Sequence, residues 1–278
     1  AAIIGGIALS TTSVAVVYAV MVETRLNETP FGKVLLAACF VNDLGTVLAL
    51  GVFFANYNGW LVAFALGSAA VLALAPGLTR GVLNRFRGHV SEPGIKLLFV
   101  MLFGLGALAT RANSEAVLPA SVLGLVLAGV LAEEKDLVRR LRTTVFAFLT
   151  PFYFLRAGML VSLPAVWAGL GIVALLLLAK VASKVMGIYP VTLLFRFSPK
   201  KRWYTTLLMC TGLTFGTISA IFGLNRGLIT QEQYSFLVAV VIASAVLPTM
   251  LAQARFRPTR DEAAHVGESA RAAVEEGV

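Results

Sequence analysis

Asn42 and Asp43 stand side by side in CFVNDLGTVLAL, the stretch from Cys39 to Leu50, with apolar residues on both sides. A charged side chain near the centre of a bilayer costs roughly 2.5–3.5 kcal/mol on insertion scales. Asp43 is the only acid well inside an apolar stretch; Glu23, Glu92, Glu115, Glu133 and Glu134 all fall at stretch ends. A carboxylate so placed either marks an ion or proton path or is a protonated group hydrogen-bonded between helices. In the first role it holds a proton or a metal cation on the same oxygens, so the two compete. Competition, combined with access alternating between the two sides of a membrane, gives exchange.

Other polar residues recur inside apolar stretches. Lys180 and Lys184, in LLLLAKVASKVMGIYP, are four apart and share a helix face. They are candidate charge partners for Asp43, or lysines whose stems run to the interface. The run Ser10, Thr11, Thr12, Ser13 can hydrogen-bond the backbone and loosen a helix. An unwound segment at mid-membrane exposes carbonyls and two half-helix ends, which suit a hard cation; the alternative is ordinary interhelical packing of small hydroxyls. CTGLTFGTISAIFG offers a second weak point at Gly212, Thr214, Gly216 and Thr217, with Thr211 and Ser219 nearby. Arg156 sits near a stretch end and reads as an interfacial arginine, and Pro151 just before it predicts a kink.

These residues need a membrane scaffold, and the composition supplies one. Hydrophobic residues make up 58% of the chain and charged residues 13%, against about 25% charged in a soluble domain. The mean hydropathy is +0.86. The apolar stretches are continuous rather than alternating, which predicts helices, not barrel strands. Nine spans are expected, at 2–22, 33–56, 59–77, 95–111, 115–132, 141–161, 164–194, 203–224 and 231–253. The opening AAIIGGIALS begins inside an apolar stretch, and the chain reads as a piece lacking its N-terminal part.

The net charge of +9 does not indicate nucleic-acid binding, because the basic residues lie in loops between spans. Arg25 and Lys33 are followed by a loop with none; then come Arg80, Arg85, Arg87 and Lys96, then Arg111 alone. Lys135, Arg139, Arg140 and Arg142 precede another empty loop, and Arg196, Lys200, Lys201 and Arg202 precede Arg226 alone. Placing the richer loops in the cytoplasm puts the first residue outside and the C-terminus inside. Cys39 and Cys210 both lie within apolar spans and read as small packing residues.

The order of several motifs resembles a known family. GGIALSTTSVAVVYAVM followed by TPFGKVLLAACFVND resembles the paired helices of the monovalent cation:proton antiporter superfamily, nearest its second branch of Kef-type and bacterial sodium/proton antiporters. SVLGLVLAGVLAEE, LTPFYFLRAGMLVS and the SKVMG from Ser183 to Gly187 resemble further motifs of that family in the same order, over residues 1 to 253. The resemblance implies an inverted-repeat fold with two crossed, broken helices. It also implies core helices at 1–56 and 162–254, linker and dimerisation-side helices at 57–161, and a short polar cytoplasmic tail at 255–278. Asp43 then corresponds to the ion- and proton-binding aspartate and Asn42 to the position before it. Thr11, Thr12 and Ser13 fall at the first helix break. Lys184 corresponds to the lysine opposite the carboxylate, with Lys180 as the other candidate.

The expectation is therefore a homodimeric, multi-pass transporter of the cell membrane, not an enzyme, exchanging Na+ or K+ for H+. It needs no cofactor and no resident metal. An Asn-Asp pair resembles the electroneutral members, which often carry arginine where this chain has lysine, and the reading leans to one proton against one cation. Two rivals stay open: a cation channel, which needs a continuous pore and selectivity ring, and a sodium-coupled organic-anion transporter on a related fold. No HExxH or GxSxG occurs, and His89 and His265 both lie outside the spans, so hydrolase chemistry has no support.

Overall fold

A computed structural model describes residues 1–54, 59–86, 91–112, 114 and 116–264, without the side chain of residue 118. Arg87, His89, Glu115, His265 and the rest of the tail lie outside the described residues. Among those described there is no strand, and the chain is an all-α polytopic membrane protein. The helices are α1 (Ala2–Ser10), α2 (Val14–Glu23), α3 (Pro30–Phe54), α4 (Gly59–Arg85), α5 (Pro93–Arg111), α6 (Val117–Ala132) and α7 (Lys135–Thr144). They continue as α8 (Thr150–Met159), α9 (Leu163–Ala168), α10 (Leu170–Leu194), α11 (Pro199–Leu208), α12 (Leu213–Asn225), α13 (Gln231–Arg255) and α14 (Arg260–Ala264).

Of the nine expected crossings, seven are helical stretches long and apolar enough to span a bilayer, counting α1 with α2 and α11 with α12 as single stretches. At the other two positions lie α6, which has 16 residues, and α8, which is joined to α7 by a π-helical turn over Val145–Leu149. Pro151 accounts for that turn: it has no N–H to donate and its ring crowds the carbonyl four residues back, so the helix widens just before it. The span expected at 164–194 is also divided. Helix α9 ends at Ala168 with Gly169 as its cap, and α10 starts at Leu170. A side chain at Gly169 would strike the ring of Phe236, so the break is a close approach to α13 that only glycine fits.

Two compact units divide the chain: 1–46 with 157–278, and 47–156. In the second, α4, α5 and α6 pack around Ala75, Leu98, Met101, Leu105, Leu123 and Leu127. In the first, α13 touches α1, α9, α10, α11 and α12. Its N-terminus is closed by a reciprocal capping box: Gln233 N–H donates to Thr230 Oγ1 at 3.2 Å, and Thr230 N–H donates to Gln233 Oε1 at 3.1 Å. Tyr234, Val238, Val241 and Ala245 recur every three or four residues on its buried face. Lipid is as apolar as these side chains, so close packing and polar bonds between helices, more than hydrophobic transfer, hold such a face.

Helices α2 and α10 end in the same device. Leu26 N–H donates to Met21 O at 2.8 Å and Arg25 N–H to Val22 O at 3.1 Å; Phe197 N–H donates to Thr192 O at 3.1 Å and Arg196 N–H to Leu193 O at 2.9 Å. This six-to-one, five-to-two pattern needs a left-handed residue, usually glycine. Here arginine takes it, at φ 57° for Arg25 and 51° for Arg196.

Candidate functional site

The hydroxyl run does not continue the helix. Helix α1 stops at Ser10, Thr11 is extended (φ −63°, ψ 153°), and α2 restarts at Val14 with Ser13 as its cap. Four residues that favour side-chain bonds to backbone over helix account for the gap: Ser10 Oγ donates to Ile7 O at 2.9 Å and Thr11 Oγ1 to Ala8 O at 2.8 Å. The second gap lies between Leu208 and Leu213, and Thr211 Oγ1 likewise donates back to Leu208 O at 2.9 Å.

The two gaps are joined. Thr11 Oγ1 reaches Gly212 O at 3.2 Å, Thr12 Oγ1 donates to Met209 O at 3.1 Å, and Ser13 N–H donates to Thr211 Oγ1 at 3.4 Å. Ser13 Oγ and Thr214 Oγ1 are 2.9 Å apart. The approach depends on glycine. A Cβ on Gly216 would lie 2.5 Å from Val241 Cγ1 and 3.2 Å from Ala8 O; one on Gly212 would meet Lys180 Nζ and Thr11 Oγ1. Thr217 stands apart from this network: it is buried, and its hydroxyl donates to Leu213 O within its own helix.

Asp43 comes to this junction from α3 and is 4% exposed. Val14 N–H, at the start of α2, donates to its Oδ2 at 3.4 Å, while Oδ1 is buried with no hydrogen-bond partner among the described residues. The carboxylate thus sits at the positive end of a half-helix, where an anion is favoured. Among the described residues no cation forms an ion pair with it. Lys184 instead donates to Thr12 Oγ1 at 2.9 Å and to Asn42 Oδ1 at 3.4 Å, so its partner beside Asp43 is the neutral amide. Lys180 is fully buried and donates to two carbonyls where α1 ends, Leu9 O at 3.1 Å and Thr11 O at 3.2 Å.

The structure therefore brings together Asn42, Asp43, Thr11, Thr12, Ser13, Lys180, Lys184, Gly212, Thr214 and Gly216. It adds what side-chain reading alone did not single out: the carbonyls of Leu9, Met209 and Gly212, and the hydroxyl of Thr211 as an acceptor. The signal for the carbonyls was available, because any residue beside an unwound segment loses its helical partner. Cys39 and Cys210 are buried free thiols, and Cys210 Sγ donates to Thr206 O at 3.2 Å. Chemically, the junction offers one anionic oxygen without a protein donor, hydroxyls, and carbonyls at half-helix ends, all hard ligands for a hard cation or acceptors for a proton.

Known proteins similar to this chain carry antiporter names. The chain is 27% identical over 258 residues to a Bacillus subtilis protein carrying the provisional name Na(+)/H(+) antiporter YjbQ, covering 86% of this chain and 40% of that protein. It is 23% identical over 262 residues to the Na(+)/H(+) antiporter NhaS4 of a Synechocystis species, covering 88% and 63%. Against Cation/H(+) antiporter 18 of Arabidopsis thaliana it is 23% identical over 274 residues, covering 92% and 33%. The chain thus spans between a third and two thirds of the length of these relatives. The profile of the family described as sodium/hydrogen exchanger, transmembrane, matches residues 1–253. With the match running through both helix gaps and Asp43, the chain belongs to that family, within the monovalent cation:proton antiporter superfamily.

Proposed function

We propose that the protein of which this chain is a part exchanges a monovalent cation, Na+ or K+, for protons by alternating access, with Asp43 binding the two in turn. The observation that carries the proposal is the state of Asp43: buried, held by one backbone N–H, and with its second oxygen unpartnered beside two joined helix gaps. Burial of a carboxylate without a compensating partner is unfavourable, and a proton or a metal cation at Oδ1 relieves it. The names of the relatives point to the same pair of substrates.

The lean toward one proton for one cation is supported by Lys184, whose bonds go to Thr12 and to the neutral Asn42, so no ion pair needs breaking in each cycle. The two gapped helices serve as matching members of an inverted repeat. Residues 57–161 supply the dimerisation side of a homodimer, and the C-terminus faces the cytoplasm of a cell-membrane protein.

The test is cation-driven proton movement in vesicles holding the full-length protein, with sodium and potassium tried separately under a potassium/valinomycin clamp. Asp43→Asn abolishes exchange if the carboxylate is the coupling site. Undiminished exchange in that variant overturns the proposal, and single-channel currents in place of coupled exchange would favour the channel reading.

A further inference from the structure

Lys180 is a fully buried ammonium group that the exchange at Asp43 does not use. No carboxylate pairs with it among the described residues. Its two hydrogen bonds go to Leu9 O and Thr11 O, at 3.1 and 3.2 Å. Both carbonyls belong to the end of α1, where the chain unwinds and the helix dipole leaves partial negative charge. Gly212, from the second gap, closes on the same ammonium so tightly that a Cβ there would overlap it.

Carbonyl oxygens at the C-terminal end of a half-helix, exposed by unwinding at mid-membrane, form the kind of donor set that coordinates a monovalent cation. Here a tethered cation already occupies it. We infer that Lys180 stands in place of a second transported cation and so holds the protein to one cation per cycle. The inference rests on the exchange reading above, and it explains why a charge without an acidic partner is kept in the interior. A neutral side chain at 180 would leave two carbonyls without a donor, and an unsatisfied polar group in hydrocarbon is strongly disfavoured. A sodium or potassium ion entering from the gap restores their partner.

The experiment uses the full-length protein in proteoliposomes and compares it with Lys180→Met, which keeps chain length and removes the ammonium. The wild type should show a Hill coefficient for cation of about 1, and Lys180→Met one approaching about 2, the limit set by two coupled sites. Charge moved per proton should rise accordingly under a voltage clamp. In calorimetric titration the folded variant should bind one more cation than the wild type. A merely structural role for Lys180 would lower activity and stability but leave both stoichiometries unchanged, and that result overturns the inference.

Should Lys180→Met fail to fold, thallium-soaked crystals of the wild type decide. One anomalous peak near Asp43 and none at Leu9 O and Thr11 O is expected; a peak at those carbonyls overturns the inference. Failure of the exchange reading is distinguishable, because it appears as undiminished exchange in Asp43→Asn whatever the count at Lys180.

Discussion

Val14 N–H donates to Asp43 Oδ2 over 3.4 Å, so the residue that opens α2 and the acid on α3 hold each other while Asp43 Oδ1 stays unpartnered. Under the proposed exchange, structure and transport would load different oxygens of one carboxylate.

That division predicts a split between two substitutions. Asp43→Asn keeps an acceptor for Val14, so stability should change by less than about 1 kcal/mol. Cation-dependent exchange should nevertheless fall about 100-fold or more, the scale of losing a charged ligand worth about 3 kcal/mol. Asp43→Leu also orphans the N–H and should cost about 1–3 kcal/mol of stability. Melting curves in detergent alongside vesicle transport separate the two effects; equal melting of both variants would contradict the shared-carboxylate arrangement.

Ser13 and Thr214 meet through their hydroxyls at 2.9 Å, and Ser13 also accepts from Val16 N–H at 3.5 Å as the cap of α2. Ser13→Ala should cost about 1 kcal/mol through the lost cap. Thr214→Val should cost less in stability, since it loses only the bridge. A double-mutant cycle should return a coupling of about 0.5–1.5 kcal/mol, and a value near zero would mean the bridge is absent in solution.

Gly216→Ala should destabilise by about 1–3 kcal/mol, because the new methyl lands 2.5 Å from Val241 Cγ1 with Ala8 O close by. Gly45→Ala, in α3, has open space around its Cβ and should be neutral or slightly stabilising, by up to about 1 kcal/mol. Thermal unfolding of the two variants in parallel tests whether contact, rather than helix propensity, governs the glycines of the junction.

The short α14 should detach in acid. Thr259 N–H donates to Glu262 Oε2 at 2.6 Å, Lys200 Nζ donates to the same oxygen at 3.1 Å, and Ala263 is buried in the core of α2, α3, α11 and α13. The Thr259 N–H first, then Lys200, hold the Glu262 carboxyl below its ordinary value. A depressed acid stabilises the folded form above its unfolded value, about 4.3, and that contribution is lost as pH falls through the folded value. The protection of amides in residues 259–264, measured against their intrinsic exchange rate at each pH, should fall below about pH 4.3, while α13 keeps its protection. Glu262→Gln should show the lower protection already at neutral pH.

The site was legible from residue type where a rule is one-sided. A lone acid in an apolar span, and runs of Thr, Ser and Gly, mark Asp43 and both gaps, because each is costly for a helix in lipid unless it serves something. Bonding partners were not legible. Helical spacing places Lys180 and Lys184 on one face of α10, but a lysine has four rotatable carbons, and only the fold decides that one reaches carbonyls and the other Thr12 and Asn42. The break at Gly169 was missed for a related reason: hydropathy runs on through 164–194, and the close approach of the Phe236 ring, which a side chain at 169 would strike, belongs to another element. The π-helical turn before Pro151 follows from proline chemistry, yet the sequence does not say whether the helix kinks or widens.

Arg25 and Arg196 close their helices in left-handed geometry, a conformation that burdens an arginine by about 1–2 kcal/mol and a glycine hardly at all. Both also belong to the basic loops that the positive-inside rule would place in the cytoplasm. Under the positive-inside reading, a residue that ends the folded helix is thus also one of those read during membrane insertion. Replacing either with glycine relaxes the backbone and weakens the signal that sets which side of the membrane the loop occupies. A variant chosen only for its melting temperature could therefore be born upside down.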